Sequence, residues 1–101
     1  MQDRLKEVRG KIDVVDDEIA RLFNERMRLV KEVAEIKAAE ALPSFNSERE
    51  KEIVQRVKRK VDLEFGEFAE RVFGVLFEVS KEYQITNYKL QIINEANLSE
   101  K

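Results

Sequence analysis

The stretch that decides the fold is LKEVRGKIDVVDDEIARLFNERMRLVKEVAEIK, residues 5–37. Its apolar residues recur at alternating steps of three and four, which is the heptad pattern of a helix with one apolar stripe. The stripe consists of Leu5, Val8, Ile12, Val15, Ile19, Leu22, Leu29, Val33 and Ile36. Position 26 is the missing member of this series, and it holds Arg26. The stretch therefore predicts one long helix whose apolar stripe is interrupted by a permanent positive charge.

The length of this helix predicts a second copy of the chain. We expect the helix to run from about Arg4 to about Ala41 and to end before Pro43, because the residue preceding a proline disfavours the helical conformation. At ~1.5 Å per residue it is roughly 55 Å long, whereas a compact globule of this chain length has a radius of gyration of only about 13 Å. The rest of the chain cannot cover such a helix, so we expect an intertwined homodimer.

Two further helices follow in the sequence pattern. Ser47 and Glu50 have the spacing of a capping box at the start of the second helix, with Asn46 as the alternative cap. The third helix starts near Gly66 and carries apolar residues around most of its circumference, so we expect it to be the most buried element. Beyond Gln84 the pattern weakens, and the remainder is either a helical extension or a frayed tail. The predicted fold is all-α, with three helices per chain and six in the dimer.

Composition narrows the possible functions. The 101 residues are expected to form a single domain, 1–101, and a net charge of −2 gives no support for nucleic-acid binding. The chain has no cysteine and no histidine, which removes thiolate and imidazole as metal ligands and histidine as a general base. No stretch has the length and apolar character of a membrane span, so we expect a cytoplasmic protein without a membrane partner. Any chemistry of this chain must therefore use the side chains of Arg, Lys, Glu, Asp, Ser, Gln or Tyr.

Arg26 and Lys37 are the first candidate site residues. They are eleven positions apart, which places them within about 20° of each other on a helix surface and ~16 Å apart along its axis. Two long cationic side chains on one face suit a small dianion. Two other interpretations stay open: Arg26 extends its guanidinium to water or fixes the helix register, and Lys37 only complements the helix dipole.

The other candidates lie on different parts of the pattern. Arg9 is about 25 Å from Arg26 and about 100° round the helix, so it reaches the same small pocket only from the other chain of a dimer. Ser80 and Gln84 share one face of the apolar third helix, where their polar atoms need partners. Hydrogen bonds between helices would also explain Ser80 and Gln84, and Arg9 alone would be an ordinary surface residue.

Together these residues resemble a known family, the all-helical class of chorismate mutase. The resemblance covers about residues 5–84 and rests on VRGKIDVVDDEIARLFNERMRLVKEVAEIK (8–37), a short loop with Pro43, SEREKEI (47–53) and VLFEVSKEYQ (75–84). Such enzymes rearrange chorismate to prephenate, on the route to phenylalanine and tyrosine. The reaction is a Claisen rearrangement that uses no nucleophile, metal or cofactor.

The resemblance implies a role for each polar position. Arg26 and Arg9 of the partner subunit would bind the two substrate carboxylates. Lys37 would hydrogen-bond the ether oxygen and a carboxylate, and Gln84 would donate to the same ether oxygen, which gains negative charge as its bond breaks. Glu50 would accept a hydrogen bond from the ring hydroxyl.

The same resemblance adds three residues at the edge of the site. Ser80 and Arg49 would complete its carboxylate end, although Arg49 alone would be solvated and a capping box alone would explain Glu50. The position of Asn46 often holds an aspartate in the family, so this residue is a departure from the pattern. Residues expected to form walls are Val33, Ile53, Phe77 and Lys81.

Three alternatives to a chorismate mutase remain from the sequence. One is a related helical lyase that eliminates pyruvate from isochorismate, and another is a non-catalytic helical dimer with a scaffold or regulatory role. A designed sequence with the fold but weak catalysis is the third. Arg26 in the apolar stripe and the Ser80–Gln84 pair favour the enzyme over the scaffold, because a scaffold needs neither.

Overall fold

The computed structural model describes residues 2–42 and 46–99. In these two ranges the chain forms three α-helices and a short 3-10 helix, with no strand, which confirms the all-α fold. The elements are α1 (Gln2–Glu40), α2 (Ser47–Lys60), the 3-10 helix (Leu63–Phe65) and α3 (Gly66–Ser99). Pro43, between α1 and α2, lies outside the described residues. The helix α3 runs on to Ser99, so residues 85–99 are helical.

The helix α1 ends in a Schellman motif. Ala41 adopts a left-handed conformation with φ of 55°. Its N–H donates to the carbonyl of Ala38 at 3.4 Å, and the N–H of Leu42 donates to the carbonyl of Lys37 at 2.8 Å. These two bonds satisfy carbonyls that the helix end leaves without a partner. The chain therefore leaves α1 by a defined turn at Ala41, ahead of the proline.

The start of α2 differs from the expected capping box. Asn46 is the N-cap, in an extended conformation with φ of −135°, and its side-chain oxygen accepts the Arg49 N–H at 3.1 Å. The Glu50 N–H donates to the carbonyl of Asn46 at 3.2 Å, so it is already used by the helix and is not left for Ser47 to cap. The predicted Ser47–Glu50 box is therefore wrong, and the alternative cap, Asn46, is confirmed.

The 3-10 helix turns the chain so that α3 packs against α2. An ion pair joins the two helices, with 3.7 Å between Lys58 Nζ and Glu70 Oε1. Within α3, the rings of Phe73 and Phe77 meet edge to face with their centroids 6.4 Å apart. Gly66 is buried at the start of α3, beside the side chain of Lys58. These contacts set the position of α3 relative to α2.

Burial within one chain is slight. Among the described residues no apolar side chain is buried, and Ser80 is the one buried polar side chain. The expectation that α3 is the most buried element holds for Gly66 and Ser80, yet Phe68 and Val72 on the same helix are 62% and 59% exposed. The single chain supplies too little neighbouring surface to surround α3.

The chain divides into two compact units, Met1–Val30 and Lys31–Lys101. The described part of the first unit is one stretch of α1, and its large apolar side chains are exposed, Ile19 by 58% and Leu22 by 52%. The second unit holds the end of α1, α2, the 3-10 helix and α3. Within residues 2–42 and 46–99, no helix is both long enough and apolar enough to cross a membrane.

Candidate active site

The second unit contains a cavity of about 330 Å³ between the end of α1 and the middle of α3. Two residues singled out from the sequence, Lys37 and Gln84, both line it. The described residues that line it are Ala34, Lys37, Ala38, Ala41 and Leu42 from the end of α1 with its turn, and Gln84, Asn87 and Tyr88 from α3. We call it the Lys37–Gln84 cavity. The structure therefore brings a cation and a neutral amide from two different helices to one small space.

Lys37 is held in place by the end of its helix. It lies in the last turn of α1, and its carbonyl accepts the Leu42 N–H of the Schellman motif. Its side chain is half-buried. The carbonyl end of a helix favours a positive charge, so this position stabilises the ammonium group while the cavity keeps it accessible.

Ser80 lies one helical turn before Gln84 on α3. It is 7% exposed, and its hydroxyl donates to the Leu76 carbonyl at 2.7 Å. The bond lies within the helix, whereas one alternative from the sequence was a hydrogen bond between helices.

Glu50 is joined to α3 by an ion pair. Its Oε1 lies 2.9 Å from the Nζ of Lys81, and the two side chains are 27% and 37% exposed. The capping box was the expected structural explanation of Glu50, and this ion pair replaces it. The pair connects the first turn of α2 with α3 next to Ser80, so it fixes the carboxylate near the helix that carries Gln84.

Asn46 and Arg49 have structural roles in the first turn of α2. Both side chains are exposed, and the guanidinium of Arg49 lies 3.6 Å from the carboxylate of Glu52. Neither residue is among those that line the Lys37–Gln84 cavity. Their expected roles in binding substrate remain predictions.

Arg9 and Arg26 belong to the first unit, so their grouping with Lys37 also remains a prediction. Arg9 is exposed, whereas Arg26 is half-buried. Burial lowers the pKa of the Arg26 guanidinium, because an apolar environment disfavours its charged form. Even so, an arginine keeps its charge at neutral pH, which leaves a half-buried cation in the apolar stripe.

Two cavity residues, Asn87 and Tyr88, did not emerge from the sequence. A signal for them existed, because they follow Gln84 by three and four positions and a helix places such residues on one face. The weak apolar pattern after residue 84 obscured it. In the described part of the chain, no group of three or more acidic side chains is arranged to hold a metal ion.

The fold and the cavity define a small all-α protein in which a lysine and a glutamine from two helices face one site. The chain belongs to the type II chorismate mutase family, whose sequence profile matches residues 8–85. The resemblance inferred from the polar spacing is therefore confirmed.

Two curated relatives have names that agree with this family. The chain is 38% identical over 89 residues to a chorismate mutase of Methanocaldococcus jannaschii, an alignment that covers 83% of this chain and 87% of the relative. It is 47% identical over 57 residues to a bifunctional chorismate mutase/prephenate dehydratase of Aquifex aeolicus. That second alignment covers 56% of this chain and only 16% of the relative. No solved structure matches the chain significantly.

Proposed function

We propose that this protein is an isomerase that rearranges chorismate to prephenate in the biosynthesis of phenylalanine and tyrosine. The observation that carries the proposal is the shared cavity of Lys37 and Gln84, in a chain of the type II chorismate mutase family. No described feature favours the isochorismate lyase or the non-catalytic dimer. The dehydratase activity in the name of the Aquifex relative is not part of the proposal, because the alignment covers so little of that protein.

The proposed mechanism needs positioning and electrostatics alone. In the rearrangement an ether C–O bond breaks and a C–C bond forms within one molecule, with no proton transfer and no covalent intermediate. Lys37 donates a hydrogen bond to the ether oxygen, and the Gln84 amide donates to it from the other side. Both interactions strengthen as negative charge develops on that oxygen, so they favour the transition state over the ground state.

The remaining residues of the second unit hold the substrate in its compact reactive conformer. Glu50 accepts a hydrogen bond from the ring hydroxyl, and its ion pair with Lys81 keeps the carboxylate in one orientation. Ser80 and Arg49 complete the carboxylate end of the site, with Asn46 beside them.

We further propose that the active enzyme is a homodimer in which Arg9 of the partner subunit and Arg26 bind the two carboxylates. Support comes from the apolar stripe of α1, which is exposed in the single chain: Leu22 by 52% and Ile19 by 58%. Burying such a stripe stabilises an assembly by roughly 25 cal/mol per Å² of apolar surface, which favours the binding of a second copy of the chain. A cytoplasmic location is also part of the proposal, and cell fractionation tests it.

The test of the activity is a spectrophotometric assay of chorismate consumption with no metal or cofactor added, followed by product identification. Prephenate is the expected product. Salicylate and pyruvate from isochorismate would instead indicate the lyase.

Lys37→Ala tests the mechanism. We expect it to lower kcat by about 10²–10³-fold, the usual effect of removing one donor to a developing oxyanion, with helix content by circular dichroism unchanged. Lys31→Ala is the matched control, because Lys31 is an exposed lysine on the same helix outside the cavity lining. Full activity in Lys37→Ala would exclude the proposed role of this lysine.

A further inference from the structure

Some of the residues that line the Lys37–Gln84 cavity lie outside the part of the chain that the family profile matches. The match ends at residue 85, whereas Asn87 and Tyr88 line the cavity on the same face of α3 as Gln84. The continuous helix from Gly66 to Ser99 carries these two residues into the site. The C-terminal part of α3 is therefore a wall of the cavity and not merely an appendage.

Asn87 is the more enclosed of the two. Its side chain is half-buried, whereas Tyr88 is 55% exposed and lies at the rim. Asn87 follows Gln84 by three positions, which on a helix means ~4.5 Å further along the axis and about 60° round it. At this spacing the two amides can contact different atoms of one small molecule, because a molecule such as chorismate extends over more than the ~4.5 Å that separates them along the helix axis.

Nothing local in the helix explains an asparagine at this position. Asparagine is less favourable than alanine in a helix interior by roughly 0.5–0.7 kcal/mol. No hydrogen bond joins the Asn87 carboxamide to another residue in the described part of the chain. The half-buried Asn87 carboxamide can therefore form hydrogen bonds with a molecule that enters the cavity.

The chemistry of the cavity indicates which group it meets. Lys37 is the only charged side chain among the described residues that line the cavity, and Gln84 is proposed to bind the ether oxygen. A carboxylate has about four lone-pair sites, so the two carboxylates that Arg9 and Arg26 are proposed to bind can each accept further hydrogen bonds. We propose that Asn87 is an additional substrate-binding residue, whose amide N–H donates to a substrate carboxylate. This inference rests on the proposed function.

The test compares three variants with the wild-type protein under steady-state conditions with chorismate. We expect Asn87→Ala to lower kcat/KM by about tenfold or more, mainly through a higher KM, because a hydrogen bond to a charged group is made in both the ground state and the transition state. Asn94→Ala is the matched control: Asn94 is an exposed asparagine two turns further along α3, outside the cavity lining. It should leave kcat/KM unchanged.

Asn87→Asp separates a binding role from a structural one. It preserves size and replaces the donor with a negative charge, so we expect a larger loss than in Asn87→Ala. That loss should shrink at high ionic strength, since salt screens the repulsion between the new carboxylate and the anionic substrate. A purely structural role for Asn87 would show no such dependence on salt.

The outcomes distinguish this inference from the proposed function. If the wild-type protein forms prephenate and both Asn87 variants retain its kcat/KM, the role of Asn87 is overturned while the proposed function stands. A wild-type protein that forms no prephenate overturns both. Misfolding is not expected to confuse the result, because alanine is the better helix former and circular dichroism checks the fold.

Discussion

At the scale of single residues, the choice of Gln84 over an acid at this position sets how the enzyme responds to pH. A glutamine amide donates a hydrogen bond at any pH, whereas a glutamate donates only when it is protonated. Gln84 lines the cavity together with Lys37, and in the proposed mechanism a carboxylate at this position would sit beside the ether oxygen that gains negative charge. A neutral amide thus avoids electrostatic repulsion in the transition state.

We therefore predict that Gln84→Glu confines activity to acid. The wild-type kcat/KM should stay nearly constant as the pH rises above about 6, because no essential proton is lost from Gln84. In Gln84→Glu the rate should fall with rising pH, as a carboxyl with an ordinary pKa near 4.3 ionises and stops donating. Rate profiles of the two proteins check this, and a wild-type rate that collapses above about pH 6 would contradict it.

The Glu50–Lys81 ion pair illustrates how an interaction can matter more for geometry than for stability. Both side chains are about a third exposed, and water screens such a pair, so its contribution to folding is about 0.5–1 kcal/mol or less. Even a weak ion pair of this kind favours one orientation of the Glu50 carboxylate. A carboxylate held by a lysine from the neighbouring helix has fewer rotamers to lose when substrate binds.

At the scale of elements, the end of α1 contains a conformation that its sequence does not favour. Ala41 has φ of 55° at the position where helices usually place glycine, and its Cβ lies too close to the following carbonyl. The Schellman hydrogen bonds on the carbonyls of Ala38 and Lys37 hold it there. The hydrogen bonds of the turn thus hold a locally strained backbone conformation.

Ala41→Gly should accordingly stabilise the protein by about 0.5–1 kcal/mol. The control is Ala39→Gly, the same substitution two residues earlier inside α1, which should destabilise by about 1 kcal/mol. Urea denaturation at one fixed protein concentration measures both. Equal effects of the two substitutions would show that the left-handed turn does not persist in solution.

The start of α2 explains why an asparagine can stand where the family often has an aspartate. Asn46 caps the helix through its side-chain oxygen, and asparagine and aspartate are about equally good N-caps. The replacement therefore preserves the cap that positions Arg49 and Glu50. It removes one negative charge close to where the anionic substrate is proposed to bind.

At the scale of the whole molecule, the proposed dimer makes each site a product of two chains. Arg9→Ala and Lys37→Ala proteins should each be nearly inactive. When they are unfolded and refolded together in equal amounts, about half of the dimers contain both chains, and each of these has one intact site. We expect about a quarter of the wild-type activity to return.

The control for this experiment is a mixture of Arg26→Ala and Lys37→Ala. Arg26 and Lys37 are proposed to serve the same site from the same chain, so no mixed dimer would have an intact site. If activity returns in the mixture of Arg26→Ala and Lys37→Ala, the assignment of Arg9 to the partner subunit is contradicted. The same holds if no activity returns in the mixture of Arg9→Ala and Lys37→Ala.

The sequence predicted most of the fold because the dominant signals are periodic and local. The heptad stripe and Pro43 placed the ends of α1 to within two residues, and Gly66 marked the start of α3. The cap of α2 was ambiguous, since Asn46 and Ser47 are both good caps and only the backbone geometry distinguishes them.

The site was predicted less completely. Lys37 stood out because it shares a helix face with Arg26, and Gln84 because it lies with Ser80 on one face of an apolar helix. The structure places Lys37 and Gln84 in one cavity.

The Glu50–Lys81 pair could not be predicted, because it depends on the relative position of helices that are distant in sequence. The helical spacing of Asn87 from Gln84 was a usable signal, but the weak apolar pattern after residue 84 obscured it. A polar side chain among other polar residues does not alter the periodic pattern of apolar residues, so that pattern does not single it out.

The unbroken course of α3 has a further consequence, for the range of molecules that the site can accept. Ser80, Gln84, Asn87 and Tyr88 lie on a single rigid helix, so a change of side chain at 87 or 88 reshapes the cavity without moving the backbone that carries Gln84. Smaller residues at those two positions would widen the cavity on one side only. Selection, or a protein engineer, could thus alter the preferred substrate while the chemical step stays intact.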